Sequence, residues 1–175
     1  AEGGTRNPLI VYYPKGIPYK GEIRRQYGHV IDLLPTTLEF VKIKAPASIR
    51  GVAQDSVQGT SLVYSFADAE APSRHTEQYY YIFGARSIYK DGWKAETLHH
   101  PDILDLTRNG VTFGGKDSTT AHGFDKDVWE LYNLNEDFNE RVDLAKQRPE
   151  KLAALQALFD ENARKYNIYP LIDWD

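Results

Sequence analysis

The chain has 175 residues and a formal net charge of −4, with 41% hydrophobic and 26% charged residues. This length excludes two full domains, and this composition excludes a disordered chain. The acidic balance, with basic residues scattered among acidic ones, argues against nucleic acid as a partner. The chain has no Cys, which excludes disulfides and thiol chemistry but leaves the compartment open. No apolar run approaches the roughly 20 residues that cross a bilayer, so no membrane partner is expected.

The first predicted element is a strand over residues 9–13, a continuous apolar run of Leu-Ile-Val-Tyr-Tyr. Such a run is typical of a buried strand that needs neighbouring strands. The residues before it contain no basic stretch followed by an apolar one, so we expect no signal peptide. Because the chain reaches a buried-strand pattern almost at once, we expect it to be a piece of a longer protein.

A helix is predicted next, over residues 27–41. Val30, Leu34, Leu38 and Val41 recur at spacings of four and three, as an apolar helix face requires. Pro35 either kinks this helix or restarts it at a first-turn position. Residues 45–59 contain proline and glycine with few strongly apolar residues, and they are predicted to be a connector.

Three strands are predicted in the second half. The aromatic run at residues 78–83 favours a pleated strand, and residues 85–90 and 93–98 flank Asp91 and Gly92. Asp-Gly supplies the positive-φ pair of a type I′ turn, which predicts a β-hairpin. A long polar loop follows, and then residues 128–132 offer a further strand.

The last predicted element is a helix that begins near Pro149. Its apolar residues recur every three or four positions and form one face; they are Leu152, Leu155, Phe159, Ala163 and Tyr166. A helix and an antiparallel sheet that each have one apolar face bury each other. The sequence therefore predicts an α+β unit with the helix across the sheet.

The five histidines are His29, His75, His99, His100 and His122. No two of them have the helical spacing of a metal-binding pair. His29 and Asp32 are three residues apart, which allows either an oriented imidazole or, more simply, a polar cluster that caps the helix. His99 and His100 are adjacent, and neighbouring strand residues point to opposite faces, so they do not readily share a metal ion.

Two further features have alternative interpretations. Tyr79, Tyr80 and Tyr81 either form a stacking platform for a sugar or aryl ligand, or fill the sheet core under the helix. The acidic residues between 136 and 143 lack the ligand alternation and glycine of a calcium loop, so a solvated approach to the last helix explains them better.

Several segments, taken in order, resemble the C-terminal portion of bacterial arylsulfatases, members of the sulfatase family in the alkaline-phosphatase-like superfamily. These segments are residues 2–8, 28–36, 59–62, 84–94 and 129–134. Each motif alone is weak, but their order is specific and covers nearly the whole chain.

The resemblance implies hydrolysis of a small-molecule sulfate ester by a calcium-dependent enzyme. In this family a hydrated formylglycine, made from the first residue of a Cys/Ser-x-Pro-x-Arg motif, attacks sulfur. The nearest match here starts at Glu70, which cannot become an aldehyde, so the match is accidental. The resemblance places the formylglycine and the calcium ligands upstream of Ala1, which leaves no catalytic residue, metal ligand or cofactor in this chain and predicts that it is inactive alone.

The same resemblance implies a domain plan. Residues 1–60 are expected to be the end of the large α/β sulfatase domain, a remnant strand and helix; residues 61–77 a linker; and residues 78–175 a C-terminal subdomain with a four-stranded antiparallel sheet and a packed helix. The expected partner is the missing N-terminal catalytic portion of the same polypeptide, and the exposed sheet edge is expected to self-associate. A periplasmic or secreted location is a tendency of the family.

The C-terminal subdomain of the family borders the active-site cleft. The residues expected as substrate-rim contacts are His75, Tyr79, His99, His100 and His122. Two other readings stay open: an independent carbohydrate- or protein-binding α+β module that uses its tyrosines, and a phosphoester hydrolase of the same superfamily.

Overall fold

The structure is a computed structural model, and it describes residues 2–18, 21–82, 84–99 and 123–171. The chain divides into two compact units. We call Asn7–Thr76 the N-terminal unit, and Glu77–Asp175 together with Ala1–Arg6 the sheet unit. Within the described ranges, no helix combines the length and apolarity that a membrane span requires.

The N-terminal unit contains one helix and one small hairpin. A 3₁₀ turn at Val30–Asp32 leads into α2, Leu33–Phe40, and the strands β1, Ser48–Ile49, and β2, Val52–Ala53, pair antiparallel. A second 3₁₀ turn spans Val63–Ser65. A short helix α1, Glu2–Thr5, precedes this unit in the chain and belongs to the sheet unit.

Three predictions for this unit need correction. The strand predicted for residues 9–13 is wrong: these residues form neither helix nor strand, since no described segment pairs with them. The helix is shorter than predicted, because Pro35 occupies the first turn of α2 and the preceding turn is 3₁₀. The connector at 45–59 contains the β1–β2 hairpin, whose turn residues Arg50 and Gly51 both have positive φ.

The predicted face of α2 is also wrong. Val30, Leu34 and Val41 are exposed, whereas the buried positions are Asp32 and Thr36. Hydrogen bonds of these two side chains to neighbouring loops, described below, decide which side of the helix faces the unit.

The sheet unit contains a four-stranded antiparallel sheet in the order β3, β4, β5, β6. The strands are Glu77–Ile82, Ala85–Lys90, Trp93–Thr97 and Glu130–Asn133. Asp91 and Gly92 join β4 to β5 with φ values of 49° and 82°, so the predicted type I′ hairpin is confirmed. The predicted four-stranded sheet and C-terminal helix are both present.

The core of the sheet unit is one row of side chains that crosses the sheet. Tyr79, Ile88, Ala95 and Leu131 are register partners on successive strands. The helix α3, Pro149–Lys165, covers this row with Leu155, Phe159 and Ala163, which are four residues apart and all buried. The predicted apolar face of this helix is therefore confirmed. Asn162 on the same helix donates from Nδ2 to Oε1 of Glu77 over 2.9 Å, which ties the helix to the first residue of β3.

Candidate functional site

Two of the described candidate residues, His75 and His99, lie in clusters of polar side chains, one cluster in each unit. The first is built around Asp32, whose side chain is completely buried at the junction of the 3₁₀ turn and α2. His75 Nδ1 lies 2.7 Å from Asp32 Oδ2, the backbone N–H of His29 donates to Oδ2 over 2.8 Å, and that of Thr60 donates to Oδ1 over 2.6 Å. One carboxylate thereby joins three segments of the N-terminal unit.

These hydrogen bonds determine the charge of Asp32. Burial by itself raises the pKa of the carboxyl, but the hydrogen bonds from His75, Thr60 and His29 outweigh burial, so the pKa lies below its ordinary value. Asp32 is thus a carboxylate at neutral pH. Because a carboxylate only accepts, Nδ1 of His75 carries the hydrogen of this bond.

Thr36 and Gly59 complete the surroundings of Asp32. The Thr36 hydroxyl donates to the backbone oxygen of Asp32 over 2.6 Å and accepts from the N–H of Leu62 over 2.9 Å. Gly59 has a φ of +91°, and a Cβ there would collide with the backbone of Ile31. Only glycine therefore brings the loop at 59–62 close enough to deliver the Thr60 N–H to the carboxylate.

His29 has the capping role that the sequence favoured. Its backbone N–H bonds to Asp32, and its Nδ1 lies 3.5 Å from the N–H of Ile31, at the limit of a hydrogen bond. Burial lowers the pKa of His29 and the adjacent His75 lowers it further, while Asp32 acts in the opposite sense. The cap interpretation is confirmed, and the ring also lies edge-on to His75, with centroids 6.3 Å apart.

The second cluster lies in the sheet unit around Asp127, another fully buried carboxylate. Arg86 on β4 donates from Nη2 to Asp127, and Nδ1 of His99 lies 2.9 Å from Asp127 Oδ1. The imidazole of His99 stacks on Phe124 with ring centroids 3.8 Å apart. Gly84, with a φ of +78°, passes so close that a Cβ would come within 2.9 Å of the Cβ of His99. As with His75, the carboxylate requires the hydrogen on Nδ1.

The remaining predicted rim residues are distributed as follows. Tyr79 lies on β3, packs against the hydrophobic core and stacks on Tyr166 with centroids 5.1 Å apart, which agrees with the packing interpretation. His100 and His122 lie outside the described residues. His75 and His99 belong to different units, and each pairs with a buried carboxylate of its own unit.

Sequence reasoning missed Asp127 and Arg86 altogether, and it considered Asp32 only as a partner of His29, either as an oriented pair or as a cap. Asp127 directly precedes the apolar-aromatic run at 128–132, and Asp32 lies within the apolar run at 30–34. An acidic residue beside or inside such a run is a usable signal of a buried, paired carboxylate. In the described part of the chain, no group of three or more His, Cys, Asp or Glu side chains is arranged to hold a metal ion.

Two curated relatives of the chain are sulfatases. An uncharacterised sulfatase of Schizosaccharomyces pombe is 28% identical over 156 residues, which cover 88% of this chain and 24% of the relative. The arylsulfatase of Clostridium perfringens is 28% identical over 147 residues, covering 81% of this chain and 26% of the relative. The chain thus spans about a quarter of the length of the curated relatives it matches.

The comparison with solved structures also finds a protein assigned as a sulfatase. A solved structure from Bacteroides thetaiotaomicron, assigned as a sulfatase, superposes with a TM-score of 0.52 at 21% identity and covers 82% of this chain and 26% of that chain. No protein-family model matches. The chain is therefore similar in sequence to sulfatases over most of its length, and it shares its fold with a solved structure assigned as one.

Proposed function

We propose that this chain is the C-terminal portion of an arylsulfatase, an enzyme that hydrolyses sulfate esters. The observation that carries the proposal is the 28% identity to the Clostridium perfringens arylsulfatase over 81% of the chain. The four-stranded sheet covered by α3 supports it, since a fold of this kind aligns with a solved sulfatase structure. The proposal retains residues 1–60 as the end of the large domain, 61–77 as a linker and 78–175 as the C-terminal subdomain.

In this proposal the reacting groups belong to polypeptide outside the 175 residues. The sequence contains no Cys and no Ser-x-Pro-x-Arg motif, so it offers no precursor of formylglycine. A bound calcium ion and the hydrated aldehyde would supply charge stabilisation and the nucleophile in the complete enzyme. The role of this chain is to complete the fold of that enzyme and to contribute to the rim of its cleft, and the chain alone has no hydrolytic activity.

The residues assigned to the rim are His75, Tyr79, His99, His100 and His122. Substituting a rim residue in the complete enzyme is expected to raise KM for an aryl sulfate more than it lowers kcat, because the rim binds the ester without touching the reacting sulfur. Unchanged kinetics for all five substitutions would remove this part of the proposal.

The test compares the isolated chain with the complete protein encoded by the gene that contains it. Both are assayed for hydrolysis of 4-nitrophenyl sulfate with and without calcium, and the folding of the isolated chain is checked by circular dichroism. We expect turnover by the complete protein and none by the isolated chain. Turnover by the isolated chain would contradict the assignment of the nucleophile outside it.

A second arm separates the sulfatase from its rivals. The complete protein is assayed in parallel with 4-nitrophenyl phosphate, and both proteins are titrated with sulfated and unsulfated oligosaccharides. Hydrolysis of the phosphate ester alone would identify a phosphoester hydrolase. Binding of oligosaccharide by the isolated chain, together with an inactive complete protein, would identify an independent binding module.

A further inference from the structure

Two imidazole rings lie beside one buried carboxylate at the start of α2. His75 Nδ1 lies 2.9 Å and 2.7 Å from the two carboxylate oxygens of Asp32. His29 bonds to the same carboxylate through its backbone N–H, and its ring lies edge-on to that of His75, with centroids 6.3 Å apart. One negative charge thus faces two rings that can each take up a proton. We call His29, Asp32 and His75 the histidine cluster.

The ring of His29 acts as an acceptor in this cluster. Its Nδ1 faces the N–H of Ile31, while the backbone N–H of His29 donates to Asp32, and together these contacts form the reciprocal arrangement of a capping box. A ring nitrogen accepts a hydrogen bond only in the neutral imidazole, because both nitrogens of an imidazolium carry hydrogens. Protonation of His29 therefore turns its Nδ1 from an acceptor into a donor that faces another donor.

The surroundings of His29 also disfavour a positive charge on its ring. The titratable groups that act on it are the carboxylate of Asp32, on its own turn, and the ring of His75, from the segment that precedes β3. Tyr27 lies edge-on to His75 with centroids 5.3 Å apart, and the loop at 59–62, Gly-Thr-Ser-Leu, has no ionisable side chain. The first turn of a helix disfavours a cation as well, since its N–H groups carry partial positive charge.

We infer that the histidine cluster is a pH-sensitive lock on the start of α2, closed while His29 is neutral and opened when His29 takes up a proton. Opening breaks the cap of the 3₁₀ turn, and with it the position of the carboxylate that holds the Thr60 N–H and His75. Because His75 lies two residues before β3, one proton loosens the turn, the loop at 59–62 and the entry to β3. This inference does not depend on the proposed function, since it concerns contacts within the N-terminal unit.

The titration of His29 sets the pH range in which the lock opens. Burial lowers the pKa of His29 from its ordinary value of 6.5, the adjacent His75 lowers it further, and Asp32 acts in the opposite sense. A group whose folded pKa lies below its unfolded value stabilises the fold fully above that unfolded value, and this contribution is lost as the pH falls towards the folded pKa. The lock therefore opens below pH 6.5, in a range distinct from that of the Asp32 carboxyl, whose ordinary pKa is 3.8.

Hydrogen exchange of the complete protein at pH 7 and pH 4.5, followed by mass spectrometry, tests the lock. Protection factors, which remove the intrinsic effect of pH on exchange, are compared for peptides that contain residues 29–36 and 58–62. We expect protection in both peptides to fall at least about 10-fold at the lower pH, because local opening exposes their N–H groups. Peptides from α3, which contains no histidine, should keep their protection and show that the change is local. Unchanged protection at 29–36 and 58–62 would overturn the inference.

Two substitutions of His29 separate its charge from its role as a cap. His29→Asn keeps a side-chain acceptor but does not titrate, so its protection should differ by less than about 2-fold between the two pH values. His29→Ala removes the acceptor, so at pH 7 it should already show the low protection that the wild type reaches at pH 4.5. Should His29→Ala not fold, His29→Asn alone decides, because asparagine is among the preferred capping residues. A loss of protection in His29→Asn as large as that of the wild type would show that another group takes up the proton and would overturn the inference.

Discussion

Gly59 and Asp32 are in such close contact that a Cβ atom on Gly59 would lie 2.8 Å from Oδ1 of Asp32 and 2.5 Å from the backbone oxygen of Ile31. The buried carboxylate and the left-handed glycine therefore depend on each other. The carboxylate needs the Thr60 N–H, and the loop delivers that N–H only where no side chain intervenes.

Replacing Gly59 with alanine tests this contact. Gly59→Ala is expected to lower the free energy of unfolding by about 3 kcal/mol, because the new Cβ adds a collision to the cost of a positive φ. Gly51→Ala is the control, since Gly51 also has a positive φ but open space around it, and should cost about 1 kcal/mol. Urea unfolding followed by circular dichroism measures both. Equal losses would mean that backbone conformation alone matters.

Removing the charge of Asp32 tests the hydrogen-bonded cluster itself. Asp32→Asn places an amide where His75, His29 and Thr60 all direct donors, so we expect a loss of about 3 kcal/mol. Asp55→Asn, at an exposed position of the same unit, should change the stability by less than about 0.5 kcal/mol. The same urea experiment compares them, and a loss for Asp32→Asn as small as that of the control would refute the cluster.

The lowered pKa of Asp32 predicts the pH dependence of this stability. A carboxyl with a folded-state pKa below its ordinary value of 3.8 stabilises the fold fully at pH values well above 3.8. This contribution is lost as the pH falls through 3.8 towards the folded pKa, since the unfolded chain binds the proton first. Unfolding free energies measured from pH 7 to pH 3 should therefore fall more steeply for the wild type than for Asp32→Asn. Parallel curves would contradict the assignment.

A buried lysine gives a test in the sheet unit. Lys94 on β5 is buried, and its Nζ lies 2.6 Å from Glu140 and 2.8 Å from Glu96. Burial lowers the pKa of Lys94, but the hydrogen bonds to the two carboxylates prevail and raise it above its ordinary value. Lys94→Met leaves Glu140 buried without its cation, so we expect a loss of about 3 kcal/mol.

The control for Lys94 is Lys90→Met, which removes a partly exposed ion pair with Glu77 and should cost less than about 1 kcal/mol. Tryptophan fluorescence follows both variants, because Trp93 and Trp129 lie in this unit. The double variant Lys94→Met/Glu140→Gln should be more stable than the single variant Lys94→Met, since it removes both charges. A double variant that loses the sum of the two single losses would show that the pair is not coupled.

The elements predicted best from the sequence are those that local backbone conformation specifies, or whose packing partners lie within this chain. The Asp91–Gly92 turn specifies its hairpin by backbone conformation alone, and the apolar stripe of α3 has its sheet nearby. Residues 9–13 carry an equally strong strand pattern and yet form no strand, because strand formation requires a paired backbone that no described segment supplies. Periodicity identifies a surface that needs covering, and it does not identify what covers it.

The candidate site was predicted less well for a different reason. His75 and His99 were identified by residue type, but each has its partner far away in sequence, 43 residues for Asp32 and 28 for Asp127. A single sequence does not show which of its distant residues form such pairs. The side of α2 that faces its unit was also predicted wrongly, because the hydrogen bonds of Asp32 and Thr36, and not the spacing of the apolar residues, determine which side is buried.

The long stretch of sequence between Glu77 on β3 and Asn162 on α3, which a hydrogen bond joins, has a consequence for synthesis of the chain. The two residues are 85 positions apart, and α3 covers the row of Ile88, Ala95 and Leu131. A nascent chain that has emerged only as far as β6 holds all four strands but still exposes the apolar face of its sheet. Translation of the last helix is therefore the step that ends the period in which this sheet is vulnerable to aggregation.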